Sequence, residues 1–161
     1  MKTSLRKNIV MVIGATICAA AMTFAGPYEK GDAVSSFKAE DQHGKAFTFE
    51  SGNTRYLLVS HDMETGKKAN AALSNLGKDH LDDKKAVYVA NIVGMPGIGR
   101  MFAIPKMKKY SHRIILGDDE ALIAKFPQQA GKVTVLKLSG GKVAGISYWI
   151  PGTESVDDYL K

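Results

Sequence analysis

Apolar and polar residues alternate along two short segments near the start of the chain. Phe37 and Ala39 belong to the first segment, Phe47 and Phe49 to the second, and a polar turn at 41–45 separates them. Alternation with a period of two places the apolar side chains on one face of a strand, and the Asp and Gly in this turn favour a chain reversal. The pattern predicts a β-hairpin at the N-terminal side of the fold.

Two continuous apolar runs flank a segment with helical spacing. The runs cover 56–60 and 86–93 and are apolar except for Ser60 and Asn91, a pattern typical of strands that are buried on both faces. Between them, apolar residues recur every three or four positions inside 67–80, which predicts a helix. Strand, helix and strand in this order predict a right-handed crossover and a parallel pair of strands.

Shorter signals complete the path of the chain. Glycines and a proline at 94–99 predict a loop, and acids at the start of 118–126 favour a helix because they complement its dipole. The further predicted elements are a short helix at 100–109 interrupted by Pro105, a strand at 113–116, a second hairpin with strands at 133–138 and 142–146, and a terminal helix that starts at Pro151.

The first part of the chain has the pattern of a secretory signal peptide. Three basic residues precede an apolar run at 9–24, and small residues stand on either side of Phe24. The run is too short and too interrupted for a membrane span of about 20 residues. We therefore expect a signal peptide at 1–25, cleavage after Ala25, and an exported single domain at 26–161 without a transmembrane segment.

Removal of this peptide changes the charge and the chemistry that the chain can perform. Three basic residues and no acid leave with 1–25, so the net charge of +6 falls to +3. Nucleic acid is not expected as a partner, because it requires a strongly basic face. The only cysteine, Cys18, leaves as well. Disulfides, cysteine nucleophiles, thiolate zinc sites and iron–sulfur clusters are therefore excluded from the mature domain.

Several short motifs carry a family resemblance. Residues 31–47 resemble the entry hairpin, 56–60 the strand before the active site, and 138–143 the late hairpin of exported redoxins and peroxiredoxin relatives. At a finer level, Asn91 and 96–102 resemble the YtfJ family of exported thioredoxin-like proteins. The resemblance implies an α/β, thioredoxin-like three-layer sandwich, with a central mixed sheet and an N-terminal β-hairpin extension, in the periplasm.

The chain departs from this family where the family has its chemistry. The family places a redox-active CxxC after the first central strand, and here 61–66 reads His-Asp-Met-Glu-Thr-Gly. The proline that the family has before its late strand is also missing from 130–133. Thiol–disulfide exchange needs a thiolate, so we expect neither thiol oxidoreductase nor peroxidase activity. The leading hypothesis is a non-catalytic binding or scaffold module that holds a protein partner in the cell envelope.

The candidate ligand-binding site lies beyond the carboxyl ends of the parallel strands, where open α/β sheets bind their ligands. The loops at 60–66 and 94–100 and the approach to Val133 are expected to meet there. Glycines in the second loop can also present backbone N–H groups to an anion. The candidate residues are His61, Asp62, Met63, Glu64, Asn91, Met95, Gly97, Arg100 and Lys132.

Two alternatives give this site a chemical role. His61 and Met63 can ligate copper or zinc, because imidazole suits both metals and a thioether suits Cu(I). The competing interpretation is that Met63 fills a gap in the core. His61 with Asp62 or Glu64 can form a general acid/base pair, but the sequence identifies no substrate. The leading expectation is a protein without a cofactor, and copper or zinc is the alternative.

One basic cluster follows the glycine-rich loop. Lys106, Lys108, Lys109 and Arg113 form either a solvated face or a docking patch for an acidic protein or an anionic lipid surface. We predict them as the partner-binding residues. A further alternative is a redoxin-like accessory in envelope redox chemistry or cytochrome maturation, which the family resemblance implies.

Overall fold

Seven strands form one mixed sheet in the computed structural model, which describes residues 26–161. The strands are β1 (Phe37–Asp41), β2 (Ala46–Phe49), β3 (Tyr56–Ser60), β4 (Ala86–Asn91), β5 (Ile115–Gly117), β6 (Val133–Ser139) and β7 (Lys142–Trp149). Their order across the sheet is β2-β1-β5-β4-β3-β6-β7. The predicted signal peptide at 1–25 lies outside the described residues.

Short helices connect the strands. They are α1 (Met63–Asn75), α2 (His80–Asp83), α3 (Gly97–Met107) and α4 (Glu120–Ile123), followed by a 3-10 turn at Val156–Asp158. Over residues 26–161, none of the helices has the length and apolar character that a bilayer crossing requires. The helix predicted inside 67–80 begins earlier, at Met63, and the one predicted from Arg100 begins at Gly97 and continues through Pro105.

The centre of the sheet is parallel, as the strand–helix–strand pattern predicts. β3 pairs in parallel with β4, and β4 pairs in parallel with β5. Antiparallel strands lie outside this centre, with β6 and β7 on one side and the β1–β2 hairpin on the other. All five residues of β3 are buried, which explains its apolar sequence from Tyr56 to Val59.

Each face of the sheet is covered by its own hydrophobic core, which gives the fold three layers. Alternate residues of β3 enter the two cores: Tyr56 and Leu58 face α1 and α2, while Leu57 and Val59 face α4 and the N-terminal segment. This alternation is the strand period of two, with both faces buried instead of one. The expected three-layer arrangement with an N-terminal hairpin is therefore confirmed.

The predicted terminal helix is wrong. The chain turns sharply after Trp149, whose indole N–H donates a hydrogen bond to the Glu154 carbonyl. The Glu154 carboxylate accepts hydrogen bonds from the Ile150 N–H and the Tyr159 hydroxyl, which closes the turn. Only the 3-10 turn follows, because Glu154 takes part in a bridge with Pro151 instead of a helical first turn.

Candidate binding site

β3 and β4 end side by side because they are parallel, and one side chain joins the segments that follow them. The Asn91 amide donates to the His61 carbonyl at 3.1 Å and accepts from the Val93 N–H at 2.9 Å. Both polar ends of the amide are therefore occupied. Asn91 fixes the spacing of the two chain segments at the carboxyl edge of the sheet.

Asp62 begins α1 at this edge. Its carboxylate accepts hydrogen bonds from the Thr65 N–H at 2.8 Å and from the Thr65 hydroxyl at 2.7 Å. Burial, although slight, raises the pKa of Asp62, but the hydrogen bonds from Thr65 outweigh that effect and leave the pKa below its ordinary value. The carboxylate stays charged at neutral pH and satisfies orphan donors of the first helical turn.

Arg100 holds the start of α3 against the loop before it. Its guanidinium forms a two-pronged ion pair with Asp118, and it also donates to the carbonyls of Met95 and Ile92 at 3.1 Å and 3.3 Å. The hydrogen bond from Arg100 lowers the pKa of Asp118. Arg100 is thus fully engaged in joining α3, the loop and the end of β5.

A cavity of about 440 Å³ lies between α1 and α3 at the carboxyl edge of β3 and β4. We call it the α1–α3 cavity. Most of its wall is apolar, and the apolar residues that line it include Met63, Ala90, Met95, Phe102, Ala103 and Met107. Two exposed lysines, Lys67 on α1 and Lys106 on α3, also line it.

Buried hydroxyl and amide groups form a polar floor in this cavity. The Ser60 and Tyr88 hydroxyls are hydrogen-bonded at 2.8 Å, and the Asn70 carbonyl oxygen lies 3.1 Å from His112 Nε2. Ser60 and Asn70 both line the cavity, although they are only 1% and 3% exposed. Gly66 permits this close approach of α1, since a Cβ there would lie 3.3 Å from the Ser60 hydroxyl oxygen.

The floor is neutral at physiological pH. Burial raises the pKa of the Tyr88 hydroxyl far above its ordinary value. Burial also lowers the pKa of His112 to about 4. A neutral imidazole that donates from Nε2 to Asn70 leaves Nδ1 as an acceptor, and this buried atom has no hydrogen-bond partner among residues 26–161. Tyr88 and His112, which lie behind Ser60 and Asn70, therefore add no net charge to the floor.

The structure brings some of the predicted site residues together. Asp62, Met63, Asn91 and Met95 line the α1–α3 cavity, and Lys106 from the predicted partner-binding set joins them. Each of the first four follows or ends a parallel strand, which is why sequence reasoning placed them at this edge.

Other predicted ligand-binding residues lie outside the lining of the cavity. His61 Nε2 is 2.9 Å from the Thr134 hydroxyl, Glu64 pairs with Lys68 on the surface, and the Lys132 ammonium donates to the Gln129 side chain. Gly97 and Arg100 begin α3 but do not line the cavity either. The predicted set is therefore divided between the cavity and its surroundings.

His61 and Met63, the pair named in the alternative of a metal site, are separated as well. Met63 lines the cavity, whereas the His61 ring donates to Thr134, whose hydroxyl donates in turn to the Pro127 carbonyl. Burial lowers the pKa of His61 and favours its neutral form. Residues 26–161 hold no group of three or more His, Cys, Asp or Glu side chains that could hold a metal ion.

The predicted partner-binding residues do not form one patch. Lys106 borders the α1–α3 cavity, while Lys108 lies across α3 in a cleft beside Glu40. Arg113 lies near Lys78 at the opposite end of β4. The basic cluster of the sequence is thus spread over different sides of the molecule.

Sequence reasoning missed the contribution of α3 to the cavity. Phe102 is 64% exposed and borders the cavity, and no residue of α3 is buried. Met107 and Tyr110 complete the same wall. A signal was available in the apolar residues at helical spacing, yet spacing alone does not distinguish a core face from the wall of a cavity.

The arrangement of the strands and of this edge defines a thioredoxin-like α/β fold. Comparison with solved structures bears this out over most of the chain. No protein-family model matches the sequence, and no curated protein shows significant similarity to it.

The similar structures are redox proteins. The thioredoxin domain of a thiol-disulfide oxidoreductase from Bacteroides vulgatus is 16% identical, with a TM-score of 0.53, over 83% of this chain and 99% of that one. A protein from Chlorobium tepidum, assigned as the thiol:disulfide interchange protein DsbE, is 12% identical, with a TM-score of 0.57, over 83% and 95%. PrxQ from Xylella fastidiosa is 9% identical, with a TM-score of 0.54, over 83% and 93%.

These identities establish the fold alone. Residues 26–161 contain no cysteine, so the chain has no CxxC pair with which to perform the chemistry that the names of those proteins describe. The finer resemblance to the YtfJ family stays an expectation.

Proposed function

We propose that this protein is a non-catalytic binding module of the cell envelope, which takes an apolar segment of a partner protein into the α1–α3 cavity. The observation that supports the proposal most directly is the cavity itself, at the sheet edge where the resemblance places a redox-active CxxC. Here the start of α1 carries Asp62 and Met63 instead of thiols. The described residues thus form a cavity at that place in the fold and supply no thiol to it.

The lining of the cavity suits an apolar side chain or a short apolar segment, and it can adapt to ligands of different shape. Sites for organic ligands are mostly apolar, with a small number of polar groups that fix orientation. Methionines supply flexible and polarisable contacts that accept different shapes, and Met63, Met95 and Met107 all line the cavity. Ser60 and Asn70 provide the few polar groups.

The charged side chains around the cavity indicate which charge the partner segment carries. Lys67 and Lys106 border the opening, and neither forms an ion pair within the part of the chain that the structure describes. The nearby Asp62 carboxylate is already hydrogen-bonded to Thr65. We expect the partner segment to carry acidic residues next to its apolar ones.

Photo-cross-linking in cells tests this proposal. The full chain is expressed with a photoreactive phenylalanine analogue in place of Met63 or Met95, and cross-linked peptides are identified by mass spectrometry. The expected product joins the cavity to an apolar segment flanked by acids. The matched control replaces Lys142, an exposed residue in the hairpin at the opposite end of β6. Equal products from both places contradict a cavity-specific partner.

A second candidate function is Cu(I) binding. Three thioethers, those of Met63, Met95 and Met107, line one cavity, and thioether sulfur is a ligand that Cu(I) accepts. Native mass spectrometry of 26–161, recovered without chelator, tests this function. Copper that disappears on Met63→Leu with Met95→Leu would favour it. Loss on His61→Ala would instead favour the His61 and Met63 pair predicted from sequence, with copper or zinc.

A further inference from the structure

An apolar ridge runs along the outward face of α3. Ile98, Met101 and Phe102 are 69%, 70% and 64% exposed, and the exposed Pro105 continues the row. Their spacing of three and four residues places them on one side of the helix. Ile98, Met101 and Phe102 are three of the five large hydrophobic side chains that are exposed among residues 26–161, and Met63 on the neighbouring α1 is a fourth.

Lysines lie on both sides of this ridge. Lys106 lies on the side of the α1–α3 cavity, and Lys108 lies on the side of the β1–β2 hairpin. Both are exposed, as is Lys109, and none of the three forms an ion pair within residues 26–161. Glu40 and Asp41 are the acids that share the cleft with Lys108. The Asp41 carboxylate already accepts hydrogen bonds from the His43 and Lys45 N–H groups, and Asp118 is already paired with Arg100.

The ridge is held firmly against the body of the protein. Arg100 projects from the other side of α3 and joins the helix to Asp118 and to the loop carbonyls. The helix therefore presents Ile98 and Met101 outward because its opposite side is fixed. A convex and exposed apolar row does not bind a small molecule, which requires a concave site.

We propose that this ridge docks on the surface of an anionic phospholipid bilayer. A helix with apolar residues on one side and lysines beside them is the pattern of helices that lie in the membrane interface. Ile98, Met101 and Phe102 enter the boundary between headgroups and acyl chains. Lys106, Lys108 and Lys109 contact the lipid phosphates, since anionic surfaces attract neighbouring basic residues.

Membrane docking is a property beyond the proposed function and depends on different side chains. Ile98 and Met101 do not line the α1–α3 cavity, whereas Phe102 borders both surfaces. Substitution of Ile98 and Met101 therefore tests the ridge and leaves the cavity unchanged. In the same way, Ala103→Phe fills the cavity and leaves the outer row unchanged, so the two proposals can fail separately.

Vesicle flotation tests membrane docking. Residues 26–161 are mixed with phosphatidylcholine vesicles that contain or lack phosphatidylglycerol. We expect binding only to the anionic vesicles, with loss at high salt because screening weakens exposed charge interactions. Ile98→Gln with Met101→Gln, and separately Lys108→Glu with Lys109→Glu, should each weaken binding by about tenfold or more.

Matched controls distinguish the ridge from general surface effects. Leu76→Gln changes an exposed apolar residue at the other end of α1, and Lys137→Glu with Lys142→Glu changes exposed lysines on β6 and β7. Both should bind like the unaltered protein, and circular dichroism confirms the fold of each variant. Absence of binding, or binding that the ridge variants leave unchanged, overturns the proposal. Self-association that Ile98→Gln with Met101→Gln abolishes, without vesicle binding, also overturns it.

Discussion

Gly117 shows how tightly single residues are packed where β5 meets α4. A Cβ at this position would lie 2.7 Å from Ile123 Cδ1 and 2.9 Å from Val89 Cγ1. We predict that Gly117→Ala lowers the free energy of unfolding by about 1–3 kcal/mol, because well-packed surroundings must move to accept the methyl group. Urea denaturation measures the effect.

The control for this prediction is Gly145→Ala, which also lies in a strand. A Cβ there meets nothing within 4 Å. This variant should be neutral or slightly more stable, because alanine restricts the unfolded chain more than glycine does. Equal losses of stability from the two variants would contradict the packing argument.

His112 makes stability depend on pH. Burial lowers its pKa to about 4, and it is packed against Asn70 of α1, Tyr88 of β4 and Tyr110. In the unfolded chain the ordinary pKa is about 6.5, so the unfolded state binds the proton first as pH falls. The contribution of neutral His112 to the free energy of unfolding is therefore complete above the unfolded pKa, and it is lost as pH falls toward the folded pKa.

We therefore predict that the free energy of unfolding falls by roughly 2 kcal/mol between about pH 7 and about pH 5 on account of His112. His61 acts in the same direction, since burial lowers its pKa too. His112→Gln keeps a donor for Asn70 and removes the titration. Urea denaturation at both pH values should show a smaller decline for this variant, and an unchanged decline would contradict the assignment to His112.

At the scale of elements, the Arg100–Asp118 pair joins α3 to the end of β5. Arg100→Ala removes two carbonyl contacts and the ion pair together. We predict faster amide hydrogen exchange across 92–100, because the loop and the first turn of α3 lose their attachment. Lys68→Ala, which breaks only the exposed pair with Glu64, is the control and should leave this exchange unchanged.

The elements that sequence patterns predicted correctly are those whose signals are local. The β1–β2 hairpin and the β3–α1–β4 unit follow from alternation, continuous apolar runs and helical spacing, which a strand or helix imposes on its own residues. The prediction of a terminal helix was wrong because Glu154 forms contacts with Trp149 and Tyr159 that depend on the finished fold. A proline and acidic residues alone could not reveal them.

The residues of the candidate site also differ in whether local sequence signals were enough to place them. Asp62, Met63 and Met95 could be placed from sequence, because residues that follow parallel strands gather at one edge of the sheet. Arg100 and His61 could not, because their side-chain directions depend on Asp118 and Thr134, which are distant in sequence. The outward direction of the apolar ridge of α3 could not be predicted from sequence for the same reason.

At the scale of the whole molecule, α3 separates two surfaces with different properties. Its inner side closes the α1–α3 cavity, and its outer side carries the apolar ridge. The rest of the thioredoxin-like fold is a well-packed support, with β3 wholly buried between two cores. We infer that binding at the cavity is the central activity of the protein, with the ridge bringing that cavity close to a membrane.

The most direct test of this account is the yield of the cavity cross-link when the cavity is filled. Ala103→Phe adds a large side chain to a partly exposed wall residue, and Ala124→Phe makes the same change at an exposed position on the C-terminal side of α4. With the photoreactive residue in place of Met95, we predict that Ala103→Phe abolishes the cross-link to the partner's apolar segment and that Ala124→Phe preserves it. An undiminished cross-link in the filled, folded variant would contradict the assignment of binding to this cavity.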